Sequence, residues 1–481
     1  MAVTKPLGSF GDGHTTYATR CSTIFMFFHV YPLVSIASTS NSLLSIYLGN
    51  GRTGGPIIGA EVSEIKCSGP SLIPCGPSQV EPAGKWYTHQ RGVEGAIQLY
   101  RHSTVDSSLL APFNNVVDFE AYCGFASLNT TTTPPPTKRS AEPYQRRKNG
   151  DAALDPYFVD AANLPVAIKA LPNNEASYFN LGIDTGVIQL PILAPPASSS
   201  EANTYVRNFA QLVNEALAYF QKQGFTCVLV HVSRNPGGDI VAGLAVFQQI
   251  FSTSTPYYGK DTRYSPLLAN LTQEFAAADT NQSIALNFKY SVQQNGSSYR
   301  SVDAFLGPVY KNGGYFTSPS RRNAQAYLAT WQGPGNLSIP ARPLFAPEQI
   351  CLLSDSLCVS TCATFIEAMR EQGVRSVVYG GHPGSKTLQV SGGTRGSEVY
   401  PYATFVTNSQ QQSSDRTSDD LPVQQPSLSL RVNMVNSYRR GDDTVLLEFQ
   451  YTPTNYTMQL TAEMATNVTE RWRVAAQKLW G

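Results

Sequence analysis

Charge is scarce in this 481-residue chain: Asp, Glu, Lys and Arg make up 14% of it and sum to +1. That balance gives no electrostatic case for a nucleic-acid partner or an anionic membrane surface. There are only 6 histidines, and no Cys-x-x-Cys or His-Glu-x-x-His spacing occurs, so a metal centre has no ready donor set. Long apolar runs are missing too. The most apolar early stretch, "IFMFFHVYPLVSIA" at 24–37, is short for a membrane span, is broken by His and Pro, and reads as core strand. The opening "MAVTKPLGSFGDGHTTY" lacks the apolar stretch of a signal peptide.

What is present points to a globular protein. Apolar residues at 42% and aromatics at 11% suffice for real cores, and 37 Gly with 32 Pro imply many turns. The length suggests roughly two to four domains. Asn-x-Ser/Thr sequons stand at Asn129, Asn270, Asn281, Asn295, Asn336, Asn455 and Asn467, and the 8 cysteines (21, 67, 75, 123, 227, 351, 358, 362) are an even number. Both features suit the secretory pathway or secretion, which is the expectation carried forward.

Residues 15–49 alternate short apolar runs with turn residues, as strands do, and 50–125 continue in that style as a small β-rich module. "NTTTTPPPTKRSAEPYQRRKNGDAA" follows, Thr/Pro-rich and then basic, and reads as an exposed linker. After about 175 the pattern changes. "GVIQLPIL" at 186–193 is a strand, and the stretch 203–225 sets Val206, Phe209, Ala210, Val213, Ala216, Leu217 and Phe220 on one helical face, closed by Gly224. "CVLVHV" at 227–232 is continuous enough for a strand buried on both faces, and "IVAGLAVFQQIF" predicts the next helix. Strand 349–354, helix 361–372 and strand 374–381 form a second such unit. This alternation predicts an α/β domain with parallel strands. The tail predicts a strand over "TVLLEFQYTP" and a closing helix over "AEMATNVTERWRVAAQKLW".

Chemistry concentrates in three stretches: "DGHTTY" with His14, "NPGG" at 235–238, and "LCVSTCATF" with Ser360 at the junction of strand and helix. A hydroxyl there lies near helix N-terminal amides, which favour a developing anion. Each stretch also has a plain structural reading: a tight turn for NPGG, a helix N-cap for Ser360, and a core or surface histidine for His14. Cys358 and Cys362 flank the serine, and packing or a disulfide suits them better than a metal, which lacks two further ligands.

In order and spacing these stretches resemble one family. "VLVHVSRNPGGDIVAGLAVFQQIF" is similar to the Asp-x-Arg-x-Asn-x-Gly-Gly segment of the tail-specific, or C-terminal-processing, serine peptidases, family forty-one of the serine peptidases. "ICLLSDSLCVSTCATFIEAMREQGVRSVVYGGHPG" resembles their Ser-x-Ser-x-x-Glu unit, and "DGH" before strands resembles a fungal branch and a secreted chlamydial protease with a PDZ-like insert.

The resemblance implies N-terminal strands carrying the base (1–50), a PDZ-like β-rich module (51–135), a linker (136–175), a ClpP/crotonase-like α/β catalytic domain (176–400) and a C-terminal strand and helix region (401–481). It makes Ser360 the nucleophile, with the N–H of Gly237 or Gly238 and that of Thr361 forming the oxyanion hole. His14 is the favoured base, since imidazole titrates near neutrality, and Lys386 is the alternative, matching a Ser/Lys dyad. Glu398 is the leading carboxylate to orient the base, while Asp12 reads as a turn residue.

Departures stand out. The family's Asp and Arg before the loop are His231 and Ser233, its Glu is Ala363, and a one-residue shift would make Thr361 the nucleophile. The expected activity is a serine endopeptidase with no cofactor and a peptide or protein substrate, which in fungal relatives extends to precursor peptides of cyclic toxins. The alternative is a catalytically inactive peptide-binding protein on the same fold. A lipid or retinoid binder lacks a continuous apolar signature.

Overall fold

The computed structural model describes residues 164–182, 184–194, 202–278, 287–311, 313–329, 339–380, 388–392, 395, 398–401, 428–461, 463–464 and 467–481. It also gives the backbone of five short strands: β1 (Thr16–Thr19), β2 (Leu33–Ala37), β3 (Leu44–Leu48), β4 (Glu64–Lys66) and β5 (Val80–Pro82). β2 pairs with β3 and β4 with β5, both antiparallel, in keeping with the β character read from this region. The rest of the PDZ-like segment, His14, Asp12 and Lys386 lie outside the described residues.

The main sheet begins with β6 (Lys169–Ala170), β7 (Ser177–Gly182) and β8 (Thr185–Gln189), then passes through α1 (Ala202–Lys222), β9 (Cys227–His231) and α2 (Ile240–Ile250). A long excursion follows: β10 (Gly259–Asp261), α3 (Pro266–Ala278), β11 (Ser291–Gln293), α4 (Val302–Leu306), β12 (Val309–Lys311), β13 (Gly314–Phe316), β14 (Ser320–Arg322) and α5 (Ala324–Ala329). The chain re-enters the sheet through β15 (Ile350–Ser354), α6 (Thr361–Glu371) and β16 (Arg375–Tyr379). It closes with β17 (Val399–Pro401), β18 (Leu428–Asn433), β19 (Asn436–Tyr438), β20 (Tyr456–Met458) and α7 (Val468–Trp480).

The sheet has seven strands in the order β20-β16-β15-β9-β8-β7-β6. β20 through β8 are mutually parallel, and β7 and β6 are added antiparallel. This is the α/β architecture that the strand–helix–strand alternation predicts. The sheet also reaches beyond 176–400, drawing in β6 from the segment read as linker and β20 from the tail.

Period-two burial explains why "CVLVHV" carries no polar face. Val228 and Val230 point into one core with α1, α2 and α6, whereas Leu229 points into a second core with α7. β15 and β16 divide their side chains the same way, with Leu352 and Val378 on one side and Leu353 and Val377 on the other. α1 presents the seven apolar residues expected of it, each at most 3% exposed, and Gly224 follows its end at φ +77°.

The second core is centred on Trp472, which is fully buried and lies with its ring centroid 5.0 Å from that of Phe179. Its indole N–H donates to His231 Nδ1 at 3.1 Å, so the residue that replaces the family's aspartate is committed to packing α7 on the sheet. Trp472→Ala should therefore lower unfolding free energy by about 3–5 kcal/mol, read from denaturant titration. Trp480→Ala, which removes a more exposed ring, should cost markedly less.

One predicted strand is absent. Residues 444–453 contain a 3-10 turn at Leu447–Phe449, and Val445, Phe449 and Tyr451 are exposed. Asp442 accounts for it: its Oδ1 accepts from the N–H groups of Thr444 (3.1 Å) and Val445 (3.3 Å), bonds that compete with a strand ladder. The closing helix begins at Val468, where the Asn467 side chain accepts from Glu470 N at 3.2 Å.

Candidate active site

Ser360 stands where β15 gives way to α6 and occupies the helix N-cap position at φ +55°, ψ −127°. A non-glycine residue rarely adopts positive φ, and the strain is kept only where the surroundings over-determine it. Ser360 is half-buried and its hydroxyl makes no capping bond to the helix, so the N-cap reading does not account for it. Such a strained strand-to-helix turn lifts a serine Oγ clear of the sheet.

Three sets of contacts hold the turn. On one side is the loop after β9. Asn235 is fully buried, and its side chain donates to Leu190 O at 2.8 Å and accepts the Gly237 N–H at 2.8 Å. Its own carbonyl accepts from Val359 N at 3.1 Å, one residue before the serine. Gly237 and Gly238 both have positive φ, +86° and +141°. A bridge between Leu193 and Gly238 seats the loop on the segment that follows β8, with Leu193 N donating to Gly237 O at 3.0 Å.

The Gly237 amide is thus already used, whereas the Gly238 amide has no acceptor among the described residues. The Thr361 amide is a first-turn N–H with no intrahelical carbonyl to meet. Thr361 Oγ1 donates to Gly238 O at 2.8 Å, so its hydroxyl orients the glycine loop and is not left open as Ser360's is.

The second contact is a disulfide between Cys358 and Cys362, with Cα atoms 5.3 Å apart and both residues fully buried. It spans the serine from two positions before to two after. The cysteines' spacing was legible as a packed or bridged pair, and the bridge is what forms. Among the described residues no group of three or more potential metal ligands occurs.

The third contact was not foreseen. Two isolated parallel bridges, Ser356–Ser391 and Ser360–Arg395, join residues on a later stretch to the approach to the serine and to the serine itself. Ser356 Oγ donates to Gln389 O and Ser391 Oγ donates to Cys358 O, both at 2.6 Å. The Arg395 side chain is 5% exposed and donates to Gln389 and, at 2.7 Å, to Thr452 Oγ1. Burial pulls its guanidinium down to about 10, and nearby Glu448 opposes this. The sequence "SGGTRG" signals only a turn.

Glu398 lies apart from Ser360 in sequence, in a buried cluster built by the excursion. Its Oε1 accepts from Tyr327 Oη and pairs with Arg322, which also donates to Tyr327 Oη at 2.9 Å. Oε2 is buried with no hydrogen-bond partner among the described residues. Lys260, 3% exposed, belongs to the same cluster; burial lowers its ammonium to about 8, with Tyr327 pushing it back up. Ala363, at the family's Glu position, is a buried residue of α6.

A strained serine at a strand-to-helix turn, under a loop that leaves a glycine amide open, is the arrangement of a serine-type hydrolase on an α/β sheet. No protein-family model matches the chain. Among curated proteins, Peptidase S41 family protein ustP of Aspergillus flavus is 24% identical over 338 residues, covering 62% of this chain and 69% of that protein. Peptidase S41 family protein phomP1 of Diaporthe leptostromiformis is 24% identical over 337 residues, 57% of this chain, and the chain spans only half (50%) of that relative's length.

Among solved structures, mature CPAF complexed with lactacystin covers 98% of this chain and 86% of its own, with 11% identity and a TM-score of 0.45. The photosystem II D1 C-terminal processing protease covers 57% and 42%, with 10% identity and a TM-score of 0.24. At such scores neither structure carries weight beside the sequence relatives. The similarity to these curated proteins supports a place among the S41, or tail-specific, serine peptidases and with it a serine-type peptidase activity.

Proposed function

We propose that this peptidase is an endopeptidase in which Ser360 Oγ attacks the scissile carbonyl while His14 takes its proton. The N–H groups of Gly238 and Thr361 hold the resulting oxyanion, and Gly237 provides the room beside them. His14 then protonates the leaving amine, and water resolves the acyl-enzyme by the same route in reverse. Glu398 orients the base. The observation that carries this reading is the positive φ of Ser360, held between the glycine loop and the first turn of α6.

Strand topology supports His14 and Glu398 as partners. β1 starts two residues after His14, and β17 starts immediately after Glu398. Both pair antiparallel with β18, on opposite edges, and Thr16 and Pro401 share the partner Arg431. The two strands therefore run parallel on either side of β18, about 10 Å apart, with the start of β1 level with the end of β17. The unpartnered Glu398 Oε2 suits an imidazole N–H.

The substrate class we infer is a ribosomally made precursor peptide of the kind matured in fungal peptide-toxin biosynthesis, which accords with relatives from Aspergillus flavus and Diaporthe leptostromiformis. A secretory route and glycosylation belong to the same proposal. Exposed sequon residues Asn270 and Asn295 and the Cys358–Cys362 disulfide favour them. Among the described residues no helix is long and apolar enough to cross a membrane.

The test is covalent labelling with a fluorophosphonate, followed by mapping of the label, with cleavage of a mixed peptide library in parallel. Label on Ser360, and loss of turnover by on the order of 10⁴-fold or more in Ser360→Ala, is the expected result. His14→Ala should match that loss while Lys386→Ala should not; the reverse would assign the dyad mechanism. A folded wild type that takes no label and cleaves nothing would be the peptide-binding protein.

A further inference from the structure

Asp355 follows β15 directly and is 7% exposed. Its Oδ1 accepts two backbone N–H groups, that of Leu357 at 3.1 Å and that of Arg234 at 2.9 Å. The first bond is an ordinary Asx turn, in which the side chain reaches two residues ahead. The second is not local, since Arg234 lies 121 residues earlier in the chain. It immediately precedes the Asn235–Gly238 loop, and Leu357 stands three residues before Ser360. One carboxylate oxygen therefore grips both loops of the candidate site.

Both loops bend sharply at that grip. Arg234 has φ +59° and Ser356 has φ +69°, and neither is glycine. Side chains at such φ relax toward extended or right-handed backbone unless held. Relaxation at Arg234 would carry Asn235 away from Val359 N, and relaxation at Ser356 would shift the approach to Ser360. Burial pushes the Asp355 carboxyl above the usual carboxylate range, and the two N–H groups pull it back, as expected of an oxygen held for its acceptor geometry.

We infer that Asp355 is a positioning residue that fixes the separation between the Gly238 amide and the Ser360 hydroxyl by binding the N–H groups of Arg234 and Leu357. The inference rests on the reading of Ser360 as nucleophile. It assigns Asp355 no contact with substrate.

The full chain, as wild type, Asp355→Ala, Asp355→Asn and Asp355→Glu, is reacted with a fluorophosphonate. kcat and KM are taken on a quenched peptide that the wild type cleaves, and thermal midpoints are recorded. Asp355→Ala should label at least about tenfold more slowly and lose kcat in step, with KM moving by less than about threefold, because misplaced reacting groups slow chemistry more than binding. Asp355→Asn keeps the accepting oxygen and should return to within about threefold of wild type. Asp355→Glu moves that oxygen outward by one methylene and should stay about tenfold down.

Wild-type labelling of folded Asp355→Ala, or an Asn variant as slow as the Ala variant, overturns the inference. Should Asp355→Ala give no folding transition, the Asn and Glu variants decide it on the same terms, and equal rates for the two overturn it. Absence of label on Ser360 in the wild type overturns the nucleophile reading and this inference with it. A labelled wild type with unaffected variants overturns this inference alone.

Discussion

Gly237→Ala should leave a folded protein whose kcat has fallen by about 10²–10³-fold, the loss typical of a disabled oxyanion hole. A Cβ at this position would lie 2.7 Å from Ser360 Cβ, 2.7 Å from Val359 O and 2.8 Å from Thr361 N. Two of those atoms are backbone and the third is the root of the candidate nucleophile, so none can move aside without moving the site. The substitution also forces an L side chain to φ +86°, at about 1–2 kcal/mol. Gly182→Ala separates the two effects. Gly182 has φ +76° and nothing within 4 Å of an added Cβ, so it should lower stability by a similar amount and leave kcat unchanged. Parallel measurement of kcat and unfolding free energy on both variants checks this. Equal activities would mean the glycine loop is a turn and nothing more.

The same comparison shows what could be read from the sequence. Glycines after a buried strand are informative because only a close approach or a positive φ demands them, and at 237 and 238 both demands hold. The face of α1 and the two-sided burial of β9 were legible because burial follows fixed periods. Asp355, the 388–395 segment and the Arg322–Tyr327–Glu398 cluster follow no period. Each is fixed by bonds between positions 33 to 121 residues apart, which leave no local trace. The tail strand failed for the opposite reason: an apolar run predicts a strand until a neighbouring aspartate captures its amides, as Asp442 does here. At NPGG the sequence suggests a loop that a second group approaches closely but cannot divide labour within it. That Gly237's amide serves Asn235, while Gly238's has no acceptor among the described residues, depends on one side-chain rotamer.

Breaking the Cys358–Cys362 bridge should lower kcat by about 10–100-fold while costing little global stability. The closed loop is short, with a sequence separation of 4, so the chain-entropy model assigns it only about 2 kcal/mol. The local effect is larger in proportion. Ser360 sits midway along the bridged segment at φ +55°, a strain of about 1–3 kcal/mol that favours relaxation once one anchor is released. Other anchors hold single points of the turn, Val359 N to Asn235 O and Ser391 Oγ to Cys358 O before the serine, the Ser360–Arg395 bridge at it and Thr361 Oγ1 to Gly238 O after it, whereas the disulfide ties the approach to the serine directly to the first turn of α6. A Cys358→Ala/Cys362→Ala double variant isolates the bridge from thiol chemistry, and treatment of the wild type with a dithiol reductant under native conditions should reproduce its rate. Fluorophosphonate labelling of Ser360 reports the geometry without a known substrate, and the thermal midpoint reports the fold. A large drop in midpoint with an unchanged labelling rate per folded molecule would make the bridge a core staple. Slow labelling at a nearly unchanged midpoint would make it the clamp that keeps the serine strained, and would make activity depend on an oxidising surrounding.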